Sequence, residues 1–305
     1  MQIYLPIAEM AVSAEMIILL GVFVGFVSGV FGVGGGFLTT PLLIFIGIPP
    51  TVAVGTQGSQ LVASGVSGVM SHWRNGNVDF KIAGVMLGGG VIGAALGMIF
   101  FAFIQYIGQI NLVISLLYIV LLGVIGLMML SETILSYLKP KTVTSEFNRL
   151  RRRTFISRLP YKMRFPRSKL YISALVPGGI GVLSGFLVAT MGVGGGFFVV
   201  PAMIYILGMP TLLVSGTSLF QIIVISAFST IMHATINQSV DVMLAALLIM
   251  GAVVGTQFGV MASKKITGRN ARVILALLVL AVCGQLAAKL FIEPSNLYAV
   301  EVQPL

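Results

Sequence analysis

The sequence predicts an all-α polytopic membrane protein of two inverted-topology repeats, each a broken-helix hairpin followed by three full transmembrane helices. Three observations predict it. Hydrophobic residues make up 57% of the 305-residue chain and charged residues 9%, with a mean hydropathy of +1.07; a soluble domain carries roughly 25% charged residues. The hexapeptide GVGGGF stands at 32–37 and again at 192–197, with a proline four residues after each copy, at Pro41 and Pro201. Finally, the lysines and arginines fall almost entirely in stretches that share one side of a membrane once the second half is turned over relative to the first.

The duplication extends beyond the glycine motif. GVFVGF (21–26) matches GVLSGF (181–186) at the offset of 160 that relates the two hexapeptides. One inserted residue later, Gly55-Thr56, Gln60 and His72 match Gly216-Thr217, Gln221 and His233. After one more, Val78-Asp79, Gly89, Gly93 and Gly97 match Val240-Asp241, Gly251, Gly255 and Gly259. Matches that stay in order through two single-residue slips mark an internal repeat. The chain divides into a first transmembrane repeat (1–138), a basic linker (139–169) and a second, inverted transmembrane repeat (170–305).

The apolar segments of the first repeat run at about 16–33, 37–48, 51–72, 80–104 and 110–137. Those of the second run at about 171–191, 197–208, 211–233, 242–263 and 271–292. Most approach or exceed the ~20 residues that a spanning helix needs. The second segment of each repeat does not: its twelve or so residues make ~18 Å of helix against a hydrocarbon core of ~30 Å. With its far end at one surface, its glycine end lies inside the membrane. Segments one and two therefore form a hairpin that dips in and returns, and three spans follow. Three is odd, so the two repeats face opposite ways.

Charge orients them. Eleven of the eighteen Lys and Arg residues lie between Lys139 and Lys169. With that linker cytoplasmic, the 73–81 loop (Arg74, Lys81) and the 264–272 loop (Lys264, Lys265, Arg269, Arg272) are cytoplasmic too. The outside segments 1–15, 105–109 and 234–241 contain no Lys or Arg. Only Lys289 departs, near a helix end where it can snorkel. The expected location is the plasma membrane (inner membrane of a bacterium), with both termini outside. The linker joins two apolar halves, so its charge points to orientation or to anionic lipid headgroups rather than to nucleic acid. A single cysteine, Cys283, excludes an internal disulfide. The N-terminus carries Glu9 and Glu15 without a basic start, unlike a cleaved signal peptide.

Inverted repeats with helices interrupted near the midplane are the architecture of secondary transporters, and non-helical backbone at that depth survives only inside protein or beside water. Gly34, Gly35 and Gly36, like Gly194, Gly195 and Gly196, leave amides unpaired just ahead of helices starting near Phe37 and Phe197. A helix N-terminus offers free donors and about half a positive charge, and successive amides form an anion-holding nest. Two such ends brought together suit one small anion. Away from their ends the spans contain no Lys, Arg, Asp or Glu, so dipoles, amides and neutral side chains would hold the anion weakly enough to release it. Alanine at Gly35 or Gly195 is expected to lower anion affinity more than folded yield, by intruding on the nest. Glycine also serves close helix packing, the favoured reading for Gly89, Gly93, Gly97 and their partners.

Thr56, Gln57, Ser59 and Gln60, with Thr217, Ser218 and Gln221, either line the substrate path or bond between helices, at ~0.6 kcal/mol each. His72 and His233 end equivalent spans on opposite faces, which rules out one shared midplane metal. They are candidates for a proton-linked gate or for interfacial caps. Asp79 and Asp241 each precede a long helix and read as N-caps.

The paired GVGGGF motifs with Pro41 and Pro201, the duplication, and the following Gly55-Thr56…Gln60 and Gly216-Thr217…Gln221 resemble the TauE/SafE family, sulfite and organosulfur-anion permeases of the four-toluene-sulfonate uptake permease superfamily. The resemblance covers nearly the whole chain outside the linker. It implies translocation of a small sulfur oxyanion or sulfonate, such as sulfite, sulfoacetate or thiosulfate, with a proton or sodium gradient as the candidate driving force. It also implies that the hairpin glycines and nearby Thr and Gln residues hold the substrate. The expected function is a secondary transporter working by alternating access around a midplane site. A passive anion channel on the same scaffold is the alternative, separated from a carrier by single-channel currents against saturable counterflow. An intramembrane enzyme would need a positioned acid, base or metal, and no charged pair, metal-ligand cluster or cofactor motif stands mid-span. The expected partners are a small anion, membrane lipid and a coupling ion, with no metal, cofactor or nucleic acid.

Overall fold

The computed structural model describes residues 2–31, 34–74, 76–138, 160–168, 170–263 and 268–291. Helices form where the apolar segments lie. α1 (Ala14–Phe31) and α2 (Gly36–Ile46) make the first hairpin, and α3 (Pro50–Arg74), α4 (Phe80–Ile107) and α5 (Ile110–Leu138) follow. The second half repeats this order with α6 (Leu175–Met191) and α7 (Gly196–Ala202, continued by a π turn Met203–Leu207). Then come α8 (Thr211–Met232, continued by a π turn His233–Asn237), α9 (Val242–Ser263) and α10 (Gly268–Phe291).

α1, α4, α5, α8, α9 and α10 contain the six stretches long and apolar enough to cross a membrane, and the chain is an integral membrane protein. α3 is long enough, with 25 residues, but it carries Thr56, Gln57, Gln60 and Ser64, all buried against protein rather than lipid. Hydropathy averaged around such a helix underrates it, because the polar side chains never meet the bilayer.

Two β-hairpins were not expected. β1 (Gln2–Leu5) pairs antiparallel with β2 (Met10–Ser13), and β3 (Lys162–Phe165) with β4 (Leu170–Ser173). They obey the offset of 160, and QIYL and KMRF share one alternation of exposure that ends on a buried Leu5 or Phe165. Four-residue strands are too short to stand out as a period in the sequence. Residues 162–168 thus fold with the second half, whereas the sequence analysis placed them in the linker. The rest of that linker up to 159, and 264–267 of the basic loop, lie outside the described residues.

The halves interlock by exchanging helices. α1 runs parallel to α9: Gly21 faces Leu248, Gly25 faces Ala252 and Gly29 faces Thr256. In the same way α4 runs parallel to α6, with Gly89 against Gly178, Gly93 against Val182 and Gly97 against Phe186. A Cβ at any of Gly89, Gly93, Gly251, Gly255 or Gly259 would fall within the opposing carbonyl, so backbones touch there as only glycine permits. Between these pairs α3 packs on α8 and α9, and α8 on α3 and α4; α5 and α10 pair at the flank.

Each cap is also a joint. Asp79 caps α4, its Oδ1 accepting from the amides of Lys81 (3.1 Å) and Ile82 (3.3 Å). Its Oδ2 accepts from the Ser168 amide (3.1 Å) and hydroxyl (2.5 Å) in the second hairpin. Asp241 caps α9 through the Leu244 amide (3.0 Å), while its Oδ2 accepts from the amide of Ile7 (3.0 Å) in the first hairpin. Every hairpin is thus tied to the cap of the other half.

Candidate functional site

The site is built on the two helix starts after the glycine runs. Gly35 lies beside Val24, where an added Cβ would meet the Val24 carbonyl at 2.8 Å. Val24 is seven residues before the end of α1, or about 10 Å of helix. The chain therefore doubles back along α1, and α2 begins well inside the bundle. Gly195 repeats the arrangement against Ser184 and Val188 of α6. The positive φ of Gly34 (+68°), Gly194 (+74°) and Gly195 (+58°) makes these reversals, and glycine adopts that conformation without the Cβ penalty.

The two starts meet. Phe37 and Phe197 stack with ring centroids 4.6 Å apart and planes 17° from parallel. Gly36 abuts the Gly192 carbonyl, and the Tyr118 hydroxyl donates to the Met191 carbonyl at 2.5 Å, pinning the second tip. Gln57 joins the tips, its Nε2 donating to the Gly192 carbonyl and its Oε1 accepting from the Thr40 hydroxyl.

The amides divide into two groups. Gly36 N–H donates to the Gly34 carbonyl at 2.6 Å, and Gly196 N–H to the Gly194 carbonyl. These two are paired, contrary to the expectation that all three glycine amides of each run are open. Among the described residues the amides of Gly34, Gly35 and Phe37, and of Gly194, Gly195 and Phe197, find no acceptor. Leu61 and Ile222, equivalent residues of α3 and α8, lie over the tips, within 3.6 and 3.4 Å of a Cβ built at Gly34.

Two further polar groups stand incomplete. Gln60 and Gln221 are 2% and 1% exposed, and the Oε1 of each finds no hydrogen-bond partner among the described residues. Gln60 directly precedes Leu61. Gln221 reaches the second tip through Ser184, whose hydroxyl accepts from its Nε2 at 2.7 Å.

Other expected site residues lie elsewhere. Thr56 Oγ1 accepts from the amide of Asp241 (2.9 Å), and Thr217 Oγ1 from that of Asp79 (3.0 Å). They latch one half to the other. Ser218 donates to Ser215 within α8. His233 is buried, its Nε2 2.9 Å from the Ala189 carbonyl and its Nδ1 3.1 Å from Asn237, with its ring edge-on to Phe101. His72 sits at the wall of a narrow cleft with Ser28, Ser64 and Thr256.

The sequence analysis missed Thr40, Tyr118, Ser184, Leu61 and Ile222. The last two were within reach, since they occupy equivalent positions immediately after Gln60 and Gln221. A Cβ at Gly35 points into α1, so Gly35→Ala tests packing rather than the amide cluster.

The family model for the sulfite exporter TauE/SafE matches residues 17–286. Among curated relatives, "Probable membrane transporter protein YjnA" of Bacillus subtilis (strain 168) is 31% identical over 87% of this chain and 96% of its own length. A "Probable membrane transporter protein" of Xylella fastidiosa (strain 9a5c) is 29% identical over 86% of this chain and 90% of its own. "Probable membrane transporter protein YunE" of Bacillus subtilis (strain 168) is 24% identical over 90% of this chain and 97% of its own. No solved structure matches.

Proposed function

This chain belongs to the sulfite exporter TauE/SafE family and is a membrane transporter, and from that premise we propose that it moves a small sulfur oxyanion or organosulfonate by alternating access around the two helix tips. The observation that carries the proposal is the meeting of the α2 and α7 starts at Phe37 and Phe197, with amides on both sides that find no acceptor among the described residues. Each start contributes donors and the positive end of a helix dipole. Among the described residues no lysine or arginine stands at the tips to trap the ion, so its release costs little.

Gln60 and Gln221 suit the same task. A carboxamide presents an acceptor or, turned over, two donors. If Gln221 turns over, the Ser184 hydroxyl leaves the Gly181 carbonyl to which it now donates (2.8 Å) and donates to Oε1 instead, and Nε2 is freed for the anion. The two glutamines are equivalent in the repeat and supply one such group from each half.

Two sets of contacts support inverted halves. The first helix of each half runs parallel to the fourth helix of the other. Within a half those two helices are separated by two reversals and a third at the α3–α4 turn, so they run oppositely. The hairpins fit as well: the first sits at Asp241 and the second at Asp79, at opposite ends. With the basic linker cytoplasmic, the Asp79 end faces the cytoplasm.

The test is exchange of labelled sulfite and of a panel of sulfonates into liposomes containing the purified protein. Saturable exchange is expected, together with weaker binding in Gln60→Leu and Gln221→Leu variants that stay monodisperse. Folded protein that neither binds nor exchanges any of these anions overturns the substrate assignment.

A further inference from the structure

The two halves share a plan, yet their gates differ in chemistry. On the face that carries the α3–α4 turn, a narrow cleft opens between α1, α3, α8 and α9. Its walls include Ser28, Gly29, Ser64, His72 and Thr256. The His72 ring makes no hydrogen bond among the described residues and is only partly buried. A cleft of this width admits a single water, and the hydroxyls and imidazole set among its apolar lining of Leu219 and Val260 offer that water partners.

The repeat locates the counterpart of each wall residue. The cleft wall also includes Gly68, Leu219 and Val260, whose counterparts are Ser229, Gly58 and Met98; the contrast between the halves lies in the hydroxyl-bearing positions and their neighbour Gly29. Ser28 and Gly29 correspond to Val188 and Ala189, Ser64 to Ile225, and Thr256 to Ala94. Those four residues form a closed apolar cluster, exposed by 3%, 0%, 1% and 1%. His233, the counterpart of His72, is held beside it by the Ala189 carbonyl and Asn237. The same fold position is thus lined by hydroxyls around a water-sized cleft in one half and by packed apolar side chains in the other. The contrast is one of chemistry and not of burial, since Ser28, Ser64 and Thr256 are themselves only 4%, 3% and 2% exposed. The difference lies in residue type, so it persists whichever way the protein faces during its cycle.

We propose that the Ser28–Ser64–His72–Thr256 cleft is the wet vestibule through which an anion reaches the helix tips from the α3–α4 face, and that the Ala94–Val188–Ala189–Ile225 cluster is a dry gate closing the opposite face. The proposal rests on the transporter reading above and adds a sidedness to it. Ser64 lies one turn from Gln60 and Leu61, and Ser28 one turn from Val24, which backs Gly35, so the cleft leads toward the tips. Arg74, Lys81, Arg164 and Arg167 stand on the same face and bias its potential toward anions. Lys81 and Arg167 are tied to the second hairpin and the turn, through the Arg164 carbonyl (3.1 Å) and the Val78 carbonyl (2.6 Å). On the dry side, water enters only when the cluster parts, and its apolar lining favours closing again.

The test uses the full chain with Cys283, its single cysteine, replaced by alanine. Ser28→Cys and Ser64→Cys are compared with their counterparts Val188→Cys and Ile225→Cys. Each is treated with a membrane-impermeant, sulfonate-bearing thiosulfonate, applied to right-side-out and to inside-out vesicles. The vestibule cysteines should react from the α3–α4 face only, and at least about tenfold faster than the gate cysteines from either face. Thr256→Cys and Ala94→Cys repeat the comparison should a first pair fail to fold. Equal rates within the pairs, or faster reaction at the gate, would overturn the proposal. Labelling does not require transport: sided labelling without sulfite exchange would sink the anion reading alone, and unsided labelling with exchange would sink the vestibule alone.

Discussion

Replacing Gly93 by alanine tests the helix exchange that holds the two halves together. A Cβ at Gly93 would overlap the Val182 carbonyl and lie 2.8 Å from Val182 Cα, where ordinary contact begins at 3.4 Å. The opposing atoms are backbone on a helix and cannot rotate away, so α4 and α6 must part by about an ångström and lose their dispersion contacts along the stripe. Overpacking of this kind costs about 1–3 kcal/mol. The same helix supplies its own control. Gly88 faces outward with nothing within 4 Å of an added Cβ, and alanine there should gain up to ~1 kcal/mol of helix propensity. The two variants should therefore differ by about 2 kcal/mol or more. Fluorescence-detected size-exclusion chromatography after a temperature series in detergent reads the difference as Gly93→Ala melting several degrees below Gly88→Ala. Equal melting of the two would refute the claim that α4 and α6 meet backbone to backbone.

Three further outcomes are expected. Thr56→Val and Thr217→Val each strand the amide of Asp241 or Asp79 in a buried site, at about 1–3 kcal/mol. The melting temperature should fall and recover with serine, while sulfite affinity of the folded protein stays unchanged; lower affinity at unchanged stability would return the threonines to the substrate path. Tyr118→Phe removes the donor to the Met191 carbonyl and should cost about 1 kcal/mol, seen as a lower melting temperature; no change would show that the second tip does not depend on that bond. Asp241→Ala uncaps α9 at about 1–2 kcal/mol and frees Ile7, so limited proteolysis should cut the first hairpin sooner than in the parent protein. An unchanged digestion pattern would contradict the anchoring role.

The membrane class and the helix boundaries were legible because both follow from solvation. Apolar side chains cover ten segments, glycine, proline and charge punctuate them, and the observed helices begin and end within a few residues of the predicted positions. The short α2 and α7 were legible from arithmetic on their length. The hairpins β1–β2 and β3–β4 were not, since strands of four residues leave no period to detect, and Lys162, Arg164 and Arg167 read as linker charge. Thr56 and Thr217 looked like site residues because they are polar and repeated. Their partners turned out to be backbone amides some 185 and 138 residues away in the chain, a pairing that no local pattern encodes.

The sequence by itself determined that there are two equivalent breaks, that each heads a helix too short to span, and that fixed charge is absent mid-span. These are properties of composition and spacing, and they hold in any arrangement of the helices. Only the tertiary structure decided that the breaks meet at Phe37 and Phe197, that Gly36 and Gly196 spend their amides on their own turns, and that Gln60 and Gln221 remain unsatisfied. It also decided that hydroxyls line a water-sized cleft in one half while apolar side chains pack together at the equivalent place in the other. The physical reason is that a hydrogen bond or a close contact depends on both partners, and the partner here usually belongs to the other half of the chain.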